Sequence, residues 1–238
     1  SDFVSAHAVV AMNSGTATLH GCLSALGVKS GDEVIVPSLT YISSASTIFL
    51  TGAIPVFIDC DPQTFNITAR HISEAMSEKT TAVMTVDMKG MPVDYDAIKS
   101  ILPKNVALIA DSAESLGASY KSSLVGTQAD LHSFSFFANK IITSGEGGAL
   151  LTNHDDVATR SRMLRDHGMN PELKYDHKDL GYNYRMTNLQ AAVGLAQLEK
   201  LDHVLSLRNE MRLTYEDALS SIQQLKIRKF SDWCTPVH

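Results

Sequence analysis

Between residues 9 and 111, short runs that are apolar at every position alternate with longer runs that are apolar on one side only. A strand solvated on one face would alternate apolar with polar residues. Runs such as Val34-Ile35-Val36 and Val106-Ala107-Leu108-Ile109-Ala110 therefore belong to strands covered on both faces. Residues 9–12 read as the first buried segment, Asn13-Ser14-Gly15-Thr16 as a turn, and residues 17–26 as a helix with Leu19, Leu23 and Leu26 on one side. Gly27 and Ser30-Gly31-Asp32 stop that helix, residues 34–36 are a strand, residues 43–50 a helix ended by Gly52, and residues 56–58 a strand. Thr68 caps a helix to about residue 76, residues 82–86 are a strand, 94–101 a helix, and the strand 106–110 ends at Asp111. Such alternation predicts an α/β fold, a mainly parallel sheet between two helical layers, with ligands at the carboxyl ends of the strands.

The second half is arranged around Ser133-Phe134-Ser135-Phe136-Phe137-Ala138-Asn139-Lys140 and the glycine-rich Ser144-Gly145-Glu146-Gly147-Gly148 that follows. Residues 132–137 are strand-like and residues 147–151 open a second apolar run, so Lys140 sits on a tight connection between two buried strands. Its amine is a candidate for a Schiff base, the alternative being a solvated loop lysine. Residues 155–166 read as a helix, and 168–181, with Pro171, Lys174 and His177, as a polar loop of the length that carries function. Residues 187–225 keep helical periodicity through Leu189, Val193, Leu198, Leu201, Leu205 and Leu213, enough to cross the domain. Residues 225–230 read as a strand with no partner strands after it. The expected division is one domain over 1–224 and the start of another over 225–238.

Composition excludes several classes. With 238 residues, 44% of them hydrophobic, and a net charge of −6 without long blocks of one sign, the chain suits one large globular domain and neither nucleic acid nor a membrane surface. Three cysteines without CxxC spacing indicate neither a disulfide framework nor a metal site. No leader and no apolar run of membrane-spanning length is visible, so a cytoplasmic location is expected.

Three features converge at the sheet's carboxyl edge if this fold is right. Ser14-Gly15-Thr16 opens a helix whose free N–H groups suit a phosphate. Asp111 places a carboxylate after an apolar strand, where it needs a cation. Lys140 offers the amine, Ser135 a hydroxyl for the same phosphate, and Tyr41 a ring to stack. Phosphate, cationic ring nitrogen and aldehyde are what pyridoxal 5′-phosphate presents. Taken singly, the same residues read as a helix cap, a strand end and a core tyrosine.

Together with Gly31-Asp32-Glu33-Val34-Ile35-Val36-Pro37, Asp111-Ser112-Ala113-Glu114-Ser115-Leu116-Gly117 and Gly181-Tyr182-Asn183-Tyr184-Arg185-Met186-Thr187-Asn188, these motifs resemble, in order and over almost the whole chain, the DegT/DnrJ/EryC1/StrS sugar aminotransferases, and most nearly their perosamine synthase branch. The resemblance implies the large domain of a fold type I pyridoxal-phosphate transferase, with a mainly parallel seven-stranded sheet sandwiched by helices. It also implies a chain truncated at both ends, the C-terminal small domain largely missing. By the same resemblance Lys140 carries the cofactor and shuttles protons, Asp111 pairs with the pyridine nitrogen, Ser14, Gly15, Thr16 and Ser135 hold the phosphate, and Tyr41 stacks on the ring. Glu114 lies near the cofactor's phenolic oxygen, and Asn183 reaches the phosphate of the neighbouring subunit in a homodimer. The implied reaction moves an amino group from an amino acid, glutamate by analogy, to a nucleotide-linked 4-keto-6-deoxy sugar for polysaccharide or glycoconjugate synthesis. Lys174 and His177 are expected near the diphosphate. Two rivals remain: a domain that binds the cofactor without turnover, and a doubly wound nucleotide-binding domain, for which no G-x-G-x-x-G follows the first strand.

Overall fold

The computed structural model describes residues 3–170, 172–228 and 230–237. Pro171 of the polar loop, Lys229 within the expected last strand and His238 lie outside them. In chain order the elements are β1 (Ala8–Met12), α1 (Gly15–Leu26), β2 (Glu33–Pro37), α2 (Ile42–Leu50), β3 (Ile54–Ile58), α3 (Ala69–Ala75), β4 (Thr80–Val86), α4 (Tyr95–Ile101), β5 (Ala107–Asp111), β6 (Ser119–Tyr120), β7 (Ser123–Leu124), β8 (Leu131–Ser135), β9 (Gly148–Thr152), α5 (Asp155–Leu164), α6 (Asn188–Leu198), α7 (Leu201–Leu219) and β10 (Cys234–Thr235).

Seven strands form one sheet in the order β1-β9-β8-β5-β4-β2-β3. Only β9 runs against the rest, antiparallel to both β1 and β8. The pairs β8–β5, β5–β4, β4–β2 and β2–β3 are parallel. The all-apolar strands are explained by two cores. Along β2, Val34 and Val36 join Leu19 and Leu23 of α1, Ile48 of α2 and Val157 of α5, whereas Ile35 joins Ile72 of α3 and Ile98 of α4 on the other face. Period-2 alternation between two apolar layers leaves no polar face to interrupt the run.

Past α5 the structure departs from the periodicity. The helical run from residue 187 breaks after Leu198: Lys200 has φ −104° and ψ 4°, outside the helix, and Leu201 turns into the core at 1% exposure. Periodicity persists across the break because the chain re-enters helix at once. Among the described residues no strand forms over 225–230; Arg228 there donates to the backbone carbonyls of Met88 and Thr64. The terminal segment instead pairs β10 antiparallel with β6, which pairs with β7, and Trp233 and Val237 pack on the main core. Strands of two residues are too short to carry an alternation signal. Cys22, Cys60 and Cys234 are free thiols. Among the described residues no helix is long and apolar enough to cross a membrane.

The N-terminus of α1 lies against the start of β9 with almost no clearance. A Cβ on Gly148 would fall 2.6 Å from the Ser14 carbonyl oxygen and 2.9 Å from the Gly15 nitrogen, both backbone atoms. Gly148→Ala is expected to lower the unfolding free energy by about 1–3 kcal/mol, the usual cost of overpacking. Gly194→Ala, inside α6 with its nearest atom at 3.5 Å, should instead raise it by up to about 1 kcal/mol through helix propensity. Equilibrium urea denaturation of both variants tests the contrast.

Candidate functional site

Parallel strands end together, so loops distant in sequence share one edge of the sheet. Here β4, β5 and β8 end around a cleft of about 580 Å³ that also takes in the start of α1 and the start of α2. Eight of the nine residues assigned to the cofactor in sequence line it: Ser14, Gly15, Thr16, Tyr41, Asp111, Glu114, Ser135 and Lys140.

One wall is an anion cradle. Ser14 is the N-cap of α1, its Oγ accepting from Ala17 N–H at 3.0 Å. The first backbone bond of the helix runs from Thr18 N–H to the Ser14 carbonyl at 3.1 Å, so the N–H groups of Gly15 and Thr16 precede the helical ladder at the positive end of the dipole. Thr16 Oγ1 lies 2.8 Å from Ser43 Oγ. A Cβ on Gly15 would stand 2.8 Å from Ser135 Cβ and 2.9 Å from Ser135 Oγ, so glycine lets the helix end meet the Ser135 hydroxyl.

The floor is Asp111, 6% exposed at the end of β5. Its Oδ2 accepts from Ser44 Oγ at 2.8 Å and its Oδ1 from Ala113 N–H at 3.2 Å. Thr40 Oγ1 backs Ser44 Oγ at 2.7 Å. Burial pushes the Asp111 carboxyl above its ordinary range, against the Ser44 hydrogen bond, the Ala113 N–H and the Lys140 charge, which favour ionisation. Among the described residues Asp111 makes no ion pair within 4.0 Å. A buried carboxylate with two neutral donors still has room for a cationic N–H.

Lys140 sits on the connection between β8 and β9, its side chain 19% exposed and its Nζ 3.5 Å from Glu114 Oε1. Glu114 also accepts from Lys89 N–H at 2.9 Å on Oε2 and lies 4.0 Å from Lys89 Nζ. Tyr41, at the N-terminal end of α2, is 76% exposed over the cleft mouth, free to cover a flat ring. Amine, buried carboxylate and anion cradle thus fit the aldehyde, ring nitrogen and phosphate of pyridoxal phosphate. Among the described residues no group of three or more His, Cys, Asp or Glu side chains is arranged to hold a metal.

Asn183 is not in this cleft. It is exposed, bridges to Asp166, and its carbonyl accepts from Asn13 Nδ2 at 3.0 Å. Lys174 is exposed, and His177 is bridged to Met169 with Nδ1 2.9 Å from the His167 carbonyl; neither lines the cleft.

Sequence reasoning missed a second carboxylate. Asp87 follows β4 as Asp111 ends β5, the same signal of an acid after an apolar strand. Its side chain, 1% exposed, faces the opposite layer. It accepts from Tyr95 OH at 2.8 Å, Ser112 Oγ at 2.9 Å, Ser115 Oγ at 2.7 Å and Val93 N–H at 3.1 Å. Behind it, Ala129 N–H donates to His132 Nε2 at 2.9 Å, which leaves the ring proton on Nδ1 to face Ser112 Oγ at 2.9 Å. The network fixes residues 112–115, which carry Glu114 and continue from Asp111.

The family model for the DegT/DnrJ/EryC1/StrS aminotransferase family matches residues 1–237. The chain is 45% identical over 222 residues to GDP-perosamine synthase of Caulobacter vibrioides, covering 93% of this chain and 60% of that relative. It is 42% identical over 215 residues to GDP-perosamine synthase of Escherichia coli O157:H7, covering 90% and 59%. In structure it superimposes with a TM-score of 0.92 and 29% identity on a putative sugar aminotransferase from Streptococcus pneumoniae in its PLP form, over 99% of this chain and 66% of that one. The chain spans about 60% of the length of the curated relatives it matches.

His132 and Asp87 respond to acid in opposite senses. Burial pushes the His132 imidazole from 6.5 down to about 3. Over that window the unfolded chain binds a proton that the folded chain refuses, so this contribution is present above pH 6.5 and is lost as pH falls. Burial pushes Asp87 from 3.8 up to about 6, so its contribution is largest below 3.8 and is lost as pH rises through 6. His132→Gln should therefore gain stability relative to the wild type as pH is lowered from about 7 to 4.5. A stability difference independent of pH in denaturant titrations would show that His132 does not resist protonation.

Proposed function

Because the chain belongs to the DegT/DnrJ/EryC1/StrS aminotransferase family, we propose that it carries the active site of a pyridoxal-phosphate-dependent sugar aminotransferase. The amino group would pass from an amino acid, glutamate by family analogy, to a nucleotide-linked 4-keto-6-deoxy sugar. The observation that carries this reading is the meeting, in one cleft, of the Lys140 amine, the buried Asp111 carboxylate and the open N-terminus of α1. Relatives named GDP-perosamine synthase support the substrate class.

When bound, pyridoxal phosphate supplies an electron sink for the pair of electrons left when a proton departs from the carbon bearing nitrogen. The chain's residues perform the rest. Gly15 and Thr16 N–H groups and the Ser135 hydroxyl bind the phosphate and set the ring's position. Asp111 holds a proton on the ring nitrogen; its two neutral donors keep the carboxylate aimed. Lys140 Nζ would provide the amine that holds the cofactor's aldehyde and, once displaced, would take the proton from the carbon bearing nitrogen in the first half of the exchange and return one in the second, with Glu114 Oε1 3.5 Å away. Tyr41 excludes water from one ring face.

A two-fold homodimer is part of the proposal. Asn183 is exposed outside its own cleft, and on α6 Leu189 is 82% exposed, Val193 50% and Leu195 59%. Such a face suits a second copy, whose cleft Asn183 would enter.

Borohydride reduction in the presence of pyridoxal phosphate, followed by peptide mass mapping, should place the adduct on Lys140. Reduction elsewhere, or nowhere in folded protein, would end the proposal. Asp111→Asn should still form the adduct while amine transfer falls by at least about a hundredfold, on the scale of losing a preorganised electrostatic partner. Adduct formation by the wild type without any turnover of a nucleotide keto sugar would favour a binding role alone. Light scattering should give a dimer, and Asn183→Ala should weaken cofactor affinity without unfolding the chain. A monomer whose cofactor affinity ignores Asn183 would remove the shared site.

A further inference from the structure

At the carboxyl end of β4, residues 88–90 form a single 3₁₀ turn in which Lys89 has φ 53° and ψ 40°. That left-handed region suits glycine, and a lysine has no local chemistry that favours it. Six non-glycine residues have positive φ among the described residues, and of these Lys89 alone lines the cleft.

The turn is held by its backbone. Met88 N–H donates to Asn66 Oδ1 at 3.2 Å, the Met88 carbonyl accepts from Arg228 Nη1 at 2.7 Å, Lys89 N–H donates to Glu114 Oε2 at 2.9 Å, and Gly90 N–H donates to the Asp87 carbonyl at 3.1 Å. None of these bonds uses the lysine side chain, and a glycine would accept them with less strain. Packing does not explain the side chain either: it is 71% exposed and meets Glu114 Oε1 only at 4.0 Å, a solvated pair that restrains it little. What it does is present an ammonium group at the cleft wall, 4.0 Å from Glu114 Oε1.

The charge inventory gives that ammonium a use. Among the described lining residues the cationic side chains are Lys89 and Lys140, against the carboxylates of Asp111, Glu114 and Glu146. Under the proposed transaminase function Lys140 is committed to the cofactor, and the α1 N-terminus to its phosphate. Lys174 and His177 do not line the cleft. The substrates are anionic nonetheless, the donor through carboxylates and the acceptor through a diphosphate. Glu114 Oε1 stands 3.5 Å from Lys140 Nζ and 4.0 Å from Lys89 Nζ, so one carboxylate oxygen separates Lys89 from the reacting amine.

We propose that Lys89 is the cleft's own receptor for the anionic group of a substrate, a carboxylate of the amino donor or the diphosphate of the nucleotide sugar. The left-handed turn aims the side chain, and Glu114 holds the turn through its backbone N–H. This inference rests on the transaminase reading.

The test uses the 238-residue chain loaded with pyridoxal phosphate and reduced with borohydride, so that the cofactor's phosphate fills its cradle. Glutarate, as a dicarboxylate, and inorganic pyrophosphate are then titrated by calorimetry into the wild type, Lys89→Gln, Lys89→Arg and Lys89→Gly. At least one anion should lose about tenfold or more in affinity in the Gln and Gly variants and stay within about threefold in the Arg variant, the scale of a lost charged hydrogen bond. Loss for glutarate assigns the donor carboxylate, and loss for pyrophosphate the diphosphate. Lys89→Gly should melt no lower than the wild type, because it relieves the positive φ. Both affinities unchanged in Lys89→Gln, an Arg variant as weak as Gln, or no anion binding by the wild type would overturn the inference while leaving the adduct intact. Failure of the wild type to form the Lys140 adduct would instead defeat the transaminase reading, and this inference with it.

Discussion

A carboxylate at the end of a fully apolar strand is the constraint around which the cleft is assembled. Asp111 ends β5 in the middle of the sheet, where desolvation opposes its charge. Compensation comes from Ser44 on α2 and from the backbone of Ala113. Ser44 can reach Asp111 only if α2 packs on that face, which Ile48 secures by entering the same core as Val34, Val36 and Ile109. The same packing places Ser43 against Thr16 and so couples the floor of the cleft to its anion-binding wall.

Asp87 and Asp111 stand at the ends of neighbouring parallel strands and are solved oppositely. Asp87 receives donors from Tyr95, Ser112, Ser115 and Val93, which fill its lone pairs, and it serves as an internal brace. Asp111 receives two neutral donors and lines the cleft. The degree of hydrogen-bond saturation separates a carboxylate that holds structure from one with capacity left for chemistry. The brace then steadies the segment that carries Glu114, and through Glu114 both Lys140 and the turn bearing Lys89.

Much of this was legible in the chain. Apolar runs located every strand of the large sheet because two helical layers cover it, although the edge strand β3 keeps Ile54 and Phe57 exposed, and Ser14, Thr68 and Asp94 announced helix starts because their side chains accept the N–H groups that a helix leaves free. The break at Lys200 was hidden, since both helices keep the same apolar period across it. Pairing of β10 with β6 was hidden for another reason: two-residue strands carry no period, and their order in space depends on where Trp233 finds the core.

Local chemistry of the site is written in the order of residues: a capped helix start, an acid after a buried strand, and a lysine between two strands beside glycines. Those features depend on neighbours a few residues away, and the chemistry of each residue type is enough to read them. Apart from the motif around Asp111, what distinguishes the two acids is tertiary: Asp87 and Asp111 both follow an apolar strand and differ in which helical layer supplies their donors. Tertiary structure also decided that Lys89 shares the cleft with Lys140 while Lys174, His177 and Asn183 stay outside it. Distances between loops are set by the order of strands in the sheet, and that order is a property of the whole packed core, which no single stretch of sequence contains.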